Sequence, residues 1–266
     1  MLVIGEKINT INPRVRQAVE DRDALFLRDL ALAQAQAGAE VIDVNVGSRP
    51  SLETENMRWA VELVQEAVDL PLSIDSPNPA AVRVGLEACL EPSQAWANSV
   101  NLEQSRLEGV LPLVAEYGCH VIGLCMDEDG VPTITAGRVQ AAQRMVEEVG
   151  RRGISLEKLY LDVLVEPISV VSQAAMVSLD TIREMRSALP ELKTVICLTA
   201  ISFGLPARRL LNRTFLPLLM AAGVDAVILD PLDHQLVAAL KAANALLGRD
   251  AHGLAYIAAH RANRLG

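Results

Sequence analysis

Short apolar runs recur along the chain, each followed by a segment of helical length. The runs are Leu2–Gly5, Val41–Val46, Leu72–Asp75, Ala95–Ser99, Val121–Met126, Leu159–Val163, Thr194–Thr199 and Ala226–Asp230. Each is too short for a helix and is rich in β-branched residues or bounded by turn signals, which predicts strands. Ala95–Ser99 has the poorest strand composition of the eight. The intervening stretches change to helical spacing. Arg22–Ala37 sets Leu25, Leu27, Leu30, Ala33 and Ala37 on an apolar side and stops at Gly38, a natural C-cap. Thr54–Val68 follows, then Pro79–Cys89, opened by Asn78 with proline at the first helical position. Glu103–Glu116, Arg138–Gly150, Gln173–Leu189, Pro206–Ala222 and His234–Leu247 complete the set. Strands alternating with helices imply right-handed parallel units, and eight such units close a TIM (β/α)₈ barrel. We expect one domain over 1–266, with 249–266 as a helical tail bearing Arg249, Arg261 and Arg264, a cap or an oligomer contact. The main alternative is an open doubly wound sheet. No GxGxxG or GxxxxGK[ST] follows any strand, which removes the usual nucleotide-binding forms of that alternative.

Composition agrees with a buried parallel sheet. At 266 residues the chain has a normal length for one α/β barrel. Hydrophobic residues make up 51% and aromatics only 3%, so the core must be aliphatic. A net charge of −9 argues against nucleic acid, whose binders carry a basic surface. No apolar run approaches the ~20 residues of a membrane span, and Met1 leads into Leu2-Val3-Ile4 without a charged n-region, so we expect a cytoplasmic protein. Cys89, Cys119, Cys125 and Cys197 form no CxxC pair and lie among apolar residues, which reads as buried thiols of a reducing compartment. The four histidines form no HExxH, and no metal site is expected.

Barrel enzymes carry their chemistry at the C-terminal ends of the strands. Those ends read Glu6 and Asn9, Asp43 and Asn45, Asp75, Asn98, Met126, Asp162, Thr199-Ala200-Ile201-Ser202, and Asp230. Any one Asp or Asn there also reads as a helix or turn cap. Six or more converging on one face exceed what capping explains. The rim offers acceptors and amides, with few cations apart from Lys7, Arg49 and Arg208. A phosphorylated sugar would want a glycine-rich anion cradle after late strands, and none is visible. A flat heterocycle with ring N–H and exocyclic NH₂ groups, such as a pterin, would want these carboxylates and amides.

The rim segments, taken together, resemble a known family. They are Ile4-Gly5-Glu6-Lys7-Ile8-Asn9, Gly38 through Gly47 with Asp43 and Asn45, Ile74-Asp75-Ser76, Ala97-Asn98-Ser99, Tyr160-Leu161-Asp162, Ile201 through Pro206, and Asn212 through Leu216. In order and spacing they resemble the methyltetrahydrofolate–corrinoid methyltransferases and the folate domain of cobalamin-dependent methionine synthase. The resemblance implies a dihydropteroate-synthase-like barrel, usually a homodimer, with tetrahydrofolate or methyltetrahydrofolate as substrate. It also implies that Asn98 and Asp162 grip the pterin edge, that Asp75 acts near N5, and that Arg208 lies near the folate tail. Glu6, Asn9, Asp43, Asn45 and Ser202 match rim motifs that bind the substrate.

One position departs from the pattern. Where the family carries Asn beside N5, two residues before Ser202, this chain has Ala200. With no histidine on the rim, the expected source of the hydrogen bond to N5 is a network of Asp75, Asn98 and water that strengthens as charge develops. Asp250-Ala251-His252 begins the Asp-x-His-x-x-Gly string of corrinoid modules, but Ala255 stands at the glycine position. The corrinoid (cobalamin) is therefore expected on a separate protein. Two rivals remain: a dihydropteroate synthase, to which Asn45-Val46-Gly47-Ser48-Arg49-Pro50 bears a faint similarity, and a non-catalytic folate-binding barrel, suggested by Ala200.

Overall fold

The computed structural model describes residues 1–47 and 49–265, so Ser48 in the loop after the second strand and Gly266 at the end of the expected tail lie outside the described residues. Strands β1 (Leu2–Asn9), β2 (Val41–Asn45), β3 (Leu72–Asp75), β4 (Trp96–Val100), β5 (His120–Leu124), β6 (Leu159–Asp162), β7 (Lys193–Cys197) and β8 (Ala226–Leu229) close into one barrel in chain order. Every neighbouring pair is parallel. Outside run α1 (Pro13–Glu20), α2 (Ala24–Gln36), α3 (Glu53–Ala67), α4 (Pro79–Ala88), α5 (Gln104–Tyr117), α6 (Thr135–Arg151), α7 (Ala174–Ala188), α8 (Arg208–Ala222) and α9 (His234–Leu246). A last helix, α10 (Leu254–Arg261), occupies the expected tail.

The departures from expectation have local causes. Helix α1 was not expected; Asn12 caps it, accepting from the Arg14 N–H, and Pro13 opens it. Strand β4 begins at Trp96 because Pro92–Gln94 forms a 3₁₀ turn just before. Strand β7 stops at Cys197, where Leu198–Ser202 winds into 3₁₀ turns. Helix α8 starts at Arg208, because Ala207 is left-handed with φ of 51°.

Alternation along the strands sorts the core. Ile42, Val44, Ile74, Ala97, Val121, Leu161, Ile196 and Val227 face outward and pack against the helices. Ile4, Val41, Ile122, Val195, Ala226 and Ile228 fill the barrel interior. Aromatic rings close its N-terminal end: Trp96 stacks on His120 with centroids 4.8 Å apart and tilts against Tyr160 at 4.4 Å. His120 is held neutral there, its pKa lowered to about 4 by burial and by the charges of Lys158 and Lys193. The same inward face, followed to the C-terminal end, becomes polar.

Candidate functional site

Period-2 alternation carries Asp43 and Asn45 inward on β2, Ser73 and Asp75 on β3, Asn98 on β4 and Asp162 on β6. The parallel register sets Asp43 beside Ser73 and Asp75 beside Asn98. Their side chains form one network. Ser73 Oγ donates to Asp43 Oδ1 at 2.6 Å, Asn98 Nδ2 donates to the same oxygen at 3.0 Å, and Asn45 Nδ2 donates to Asp75 Oδ2 at 2.9 Å. Burial, then the neighbouring charge of Asp75, pushes the Asp43 carboxyl well above the carboxylate range. Asp75 is also raised by burial, opposed by its hydrogen bonds to Asn45 and Asp43. The two carboxyls titrate as a pair, and burial with mutual repulsion favours keeping a proton between them.

The opposite side of the mouth is built by an irregularity in β1. Gly5 pairs with Ile42 but Ile8 pairs with Val44, so β1 holds one extra residue there. Gln34 of α2 covers the bulge, its Oε1 accepting from the Lys7 N–H at 2.9 Å. A Cβ on Gly5 would lie 2.6 Å from that oxygen, so a side chain there would displace Gln34 from the Lys7 N–H. The bulge presents both Glu6 and Lys7 to a cavity of about 350 Å³ lined also by Asn9, Cys197, Thr199, Ala200, Phe203 and Arg208. Thr199 Oγ1 donates to Glu6 Oε2 at 3.0 Å, and Lys7 Nζ pairs with Asp230 Oδ2 at 2.9 Å. Burial raises the Glu6 carboxyl, with the Thr199 bond opposing. Arg208 donates to Ser202 Oγ at 3.1 Å and to the Thr199 carbonyl at 2.8 Å, with its guanidinium 5.7 Å over the Phe203 ring. Asn9 turns its Oδ1 to the Ile11 N–H at 2.9 Å, a local cap as well as a wall of the cavity.

The expected site residues thus fall into two groups at one mouth. Glu6, Asn9, Ala200 and Arg208 line the cavity, and Ser202 braces Arg208 from beneath. Asp43, Asn45, Asp75 and Asn98 form the buried network, while Asp162 stands on β6 with its Oδ1 accepting from the Leu164 N–H at 2.7 Å. Asp162 is 5% exposed, and burial pushes its carboxyl up to about 7, opposed by that N–H and by the charge of Arg138. Cys197 corrects the expectation for the cysteines. Its thiol faces the cavity near Glu6, with charges of Glu6, Asp162 and Asp43 around it, rather than apolar surroundings. The other three cysteines are buried, and all four are free. Reading the chain also passed over Ser73, Gln34, Thr199 as the partner of Glu6, and Arg138. Ser73 was recoverable, since it lies two residues before Asp75 on the same strand face. Gln34 left no such mark, because its polar group meets the barrel only through the bulge. Among the described residues no group of three or more His, Cys, Asp or Glu is placed to hold a metal ion.

A closed parallel barrel with a carboxylate- and amide-rich mouth defines a pterin-binding enzyme in outline, and the comparisons place the chain: the family model described as "Pterin binding enzyme" matches residues 12–230, and the chain belongs to that family. Over its whole length it is 35% identical, across 268 residues, to the "Methylcorrinoid:tetrahydrofolate methyltransferase" of Eubacterium limosum, covering 98% of that protein. It is 30% identical over 241 residues to "Methionine synthase" of Mycobacterium tuberculosis, which takes in 86% of this chain and 20% of that one. Solved structures share the fold. A Yersinia pestis DHPS with a pterine–sulfa conjugate gives a TM-score of 0.65 at 17% identity, over 93% of this chain and 94% of that one. Dihydropteroate synthase from Xanthomonas albilineans with 7,8-dihydropteroate gives 0.62 at 18% identity, over 94% and 93%.

Proposed function

We propose that the protein moves a methyl group from a corrinoid, held on a separate protein, to N5 of tetrahydrofolate. One observation carries this reading: the chain aligns end to end, at 35% identity, with a protein named for that transfer. The site supports it. A pterin ring presents N–H and NH₂ donors, which buried carboxylates and amides accept. Asn98 and Asp162 would take the ring's donor edge and Asp75 would stand nearer N5. Arg208, over Phe203, would meet the carboxylates of the folate tail.

The corrinoid supplies the methyl group and keeps the bonding electron pair. The protein orients N5 for in-line attack and handles its proton, which must leave as the C–N bond forms and return in the reverse reaction. Glu6 is the carboxyl on the cavity wall, with Thr199 fixing its orientation, and it is the group suited to take or return that proton. Ile11, Val170 and Phe203, at 77%, 75% and 62% exposure, stand on loops at this end and suit the transient docking of a corrinoid protein. We also take residues 1–266 to act as one catalytic unit, paired as a homodimer in the cytoplasm. Exposed Leu246, Leu254 and Ile257 near the end of the chain and four free cysteines support that picture. No helix among the described residues is long and apolar enough to cross a membrane. The dihydropteroate synthase reading has only the shared fold behind it.

The direct test mixes the protein with tetrahydrofolate and methylcobalamin and follows the cobalamin spectrum, then runs methyltetrahydrofolate with reduced cobalamin. Transfer in both directions is expected. Folate binding without transfer, also with a corrinoid protein as donor, would leave a binding barrel; neither binding nor transfer removes the assignment. A second measurement addresses the site. Asp162→Ala and Asn98→Ala should each weaken tetrahydrofolate binding by about 1–3 kcal/mol, the range for unpairing a buried polar partner. Calorimetric titration reads this, and unchanged affinity in both variants would take the pterin ring out of this pocket.

A further inference from the structure

Arg138 is the largest side chain in the molecule with no solvent exposure, yet it lies in the wall rather than in the mouth. It stands in the first turn of α6, on the stripe that continues through Ala142, Met145 and Val149, where an aliphatic residue would satisfy the packing. All of its nitrogens are used. Nε donates to the Pro132 carbonyl at 2.9 Å. Nη1 donates to the carbonyls of Val163 at 3.0 Å and Leu164 at 2.7 Å and to Ser178 Oγ at 3.2 Å, and Nη2 reaches Glu166 Oε2 at 3.4 Å. Ser178 Oγ in turn donates to the Leu164 carbonyl at 2.6 Å. These bonds converge on Leu164, a non-glycine residue held at φ of 58°. The N–H of that same residue holds Asp162 Oδ1 at 2.7 Å. One further step along the loop, Pro167 lines the cavity and the Ile168 N–H donates to the Ile201 carbonyl at 3.1 Å.

We propose that Arg138 is the positioning residue for Asp162: it clamps the 163–166 segment in the conformation that aims the Leu164 N–H at the carboxylate, and it supplies the buried cation that balances that carboxylate from behind the barrel wall. The first half follows from geometry. Leu164 has no intrinsic reason to adopt the left-handed region, and its carbonyl is fixed there by two donors, Arg138 and Ser178. The second half follows from the company Asp162 keeps. The titratable groups around it are Arg138 from α6, Cys125 after β5, Cys197 from β7 and Glu166 in its own loop, with Glu6 and Asp43 beyond Cys197. Arg138 is the one cation in that set. A carboxylate that must accept from a pterin's donor edge has to be ionised when the ligand arrives, and burial opposes ionisation. Arg138 works against that opposition without occupying the space the ligand needs.

The inference deepens the pterin reading of Asp162 and rests on it for its purpose, but it is tested without any ligand. Aspartate labelled with ¹³C at the γ-carboxyl, assigned by difference against Asp162→Asn, reports the titration of Asp162, which should centre near 7 in the unaltered protein. In Arg138→Met the midpoint should rise by roughly one unit or more, the effect of losing a nearby opposite charge. In Arg138→Lys the charge stays but the five-donor fork is lost, so the midpoint should move little. The Leu164 amide should then exchange with solvent at least roughly tenfold faster, its opening made easier by about 1.4 kcal/mol or more. An unchanged Asp162 midpoint in a folded Arg138→Met overturns the electrostatic role. Should that variant fail to fold, unchanged Leu164 exchange in Arg138→Lys overturns the clamp and the proposal with it. Tetrahydrofolate titrations of the unaltered protein at pH 6 and pH 8 complete the set. Absence of binding there would defeat the reading of the site while the carboxyl titration still decides the part played by Arg138.

Discussion

Asp162→Asn is expected to be more resistant to urea than the parent protein at pH 8, with the gain shrinking as the pH is lowered to 5. The cause is the ionisation of one buried carboxyl. Asp162 is 5% exposed, and burial pushes its pKa up to about 7, from 3.8 in the open chain. The folded state therefore binds the proton more tightly than the unfolded state. The stabilisation this gives is complete below about pH 4, declines as the pH rises, and is gone above pH 7. Between pH 5 and pH 8, ionising this buried carboxyl costs the folded protein on the order of 3 kcal/mol. Asparagine does not titrate, and its carbonyl can still accept from the Leu164 N–H. Glu6, Asp43 and Asp75 also titrate with raised pKa values, but they are common to both proteins and cancel in the difference. Unfolding free energies of both proteins at pH 5 and pH 8 give the result. An equal difference at the two pH values would mean that Asp162 is not a strained carboxylate. The substitution that gains stability should lose tetrahydrofolate, because an amide cannot accept with both heteroatoms. Stability surrendered at a binding site is a familiar compromise.

Ala200→Asn should raise the single-turnover rate of methyl transfer by on the order of 10²-fold, or about 2.7 kcal/mol of barrier. Ala200 lies in the 3₁₀ segment after β7 and lines the same cavity as Glu6 and Thr199. The family that the rim motifs resemble carries asparagine there, next to N5. An amide at that point strengthens its hydrogen bond only as N5 gains charge, so it lowers the barrier without much change in the ground-state complex. Water in the space left by alanine would recover part of the deficit, which makes the figure an upper guide. Rates at saturating folate, measured beside the folate dissociation constants, separate the two effects. A rate left unchanged or lowered would mean that Glu6, held by Thr199, handles N5 with no gain from an amide at position 200. In that case Glu6→Gln should depress transfer in the parent protein as strongly as in Ala200→Asn.

Strand order, parallel sense and the polar mouth were all readable from the chain, because they rest on spacing. Residues two apart on a strand share a face, so Asp43 with Asn45 and Ser73 with Asp75 had to emerge on the same side once the strands were placed. Helix ends at Gly118 and Gly223, left-handed at φ of 62° and 101°, were marked by residue type alone. What spacing does not encode is an irregular backbone whose hydrogen bonds are completed from elsewhere. The extra residue in β1 depends on Gln34, 27 positions from the N–H it covers. The 3₁₀ turns that end β7 displace Ala200 and Ser202 from any strand face. Arg138 is an intermediate case: a cation on an otherwise apolar helical stripe is visible in the sequence, but its five acceptors come from two separate loops and a neighbouring helix.

The aromatic plug at the foot of the barrel has a kinetic meaning. Trp96, His120 and Tyr160 pack the N-terminal end so closely that the interior is a cup with one doorway, not a channel. A small substrate and a macromolecular donor that react inside such a cup must share that doorway. The smaller one has to be seated before the larger one covers it, and its product can depart only after the cover lifts. Order of addition and release is then imposed by access, before any difference in affinity is considered. An excess of the macromolecular partner arriving early would obstruct turnover instead of promoting it.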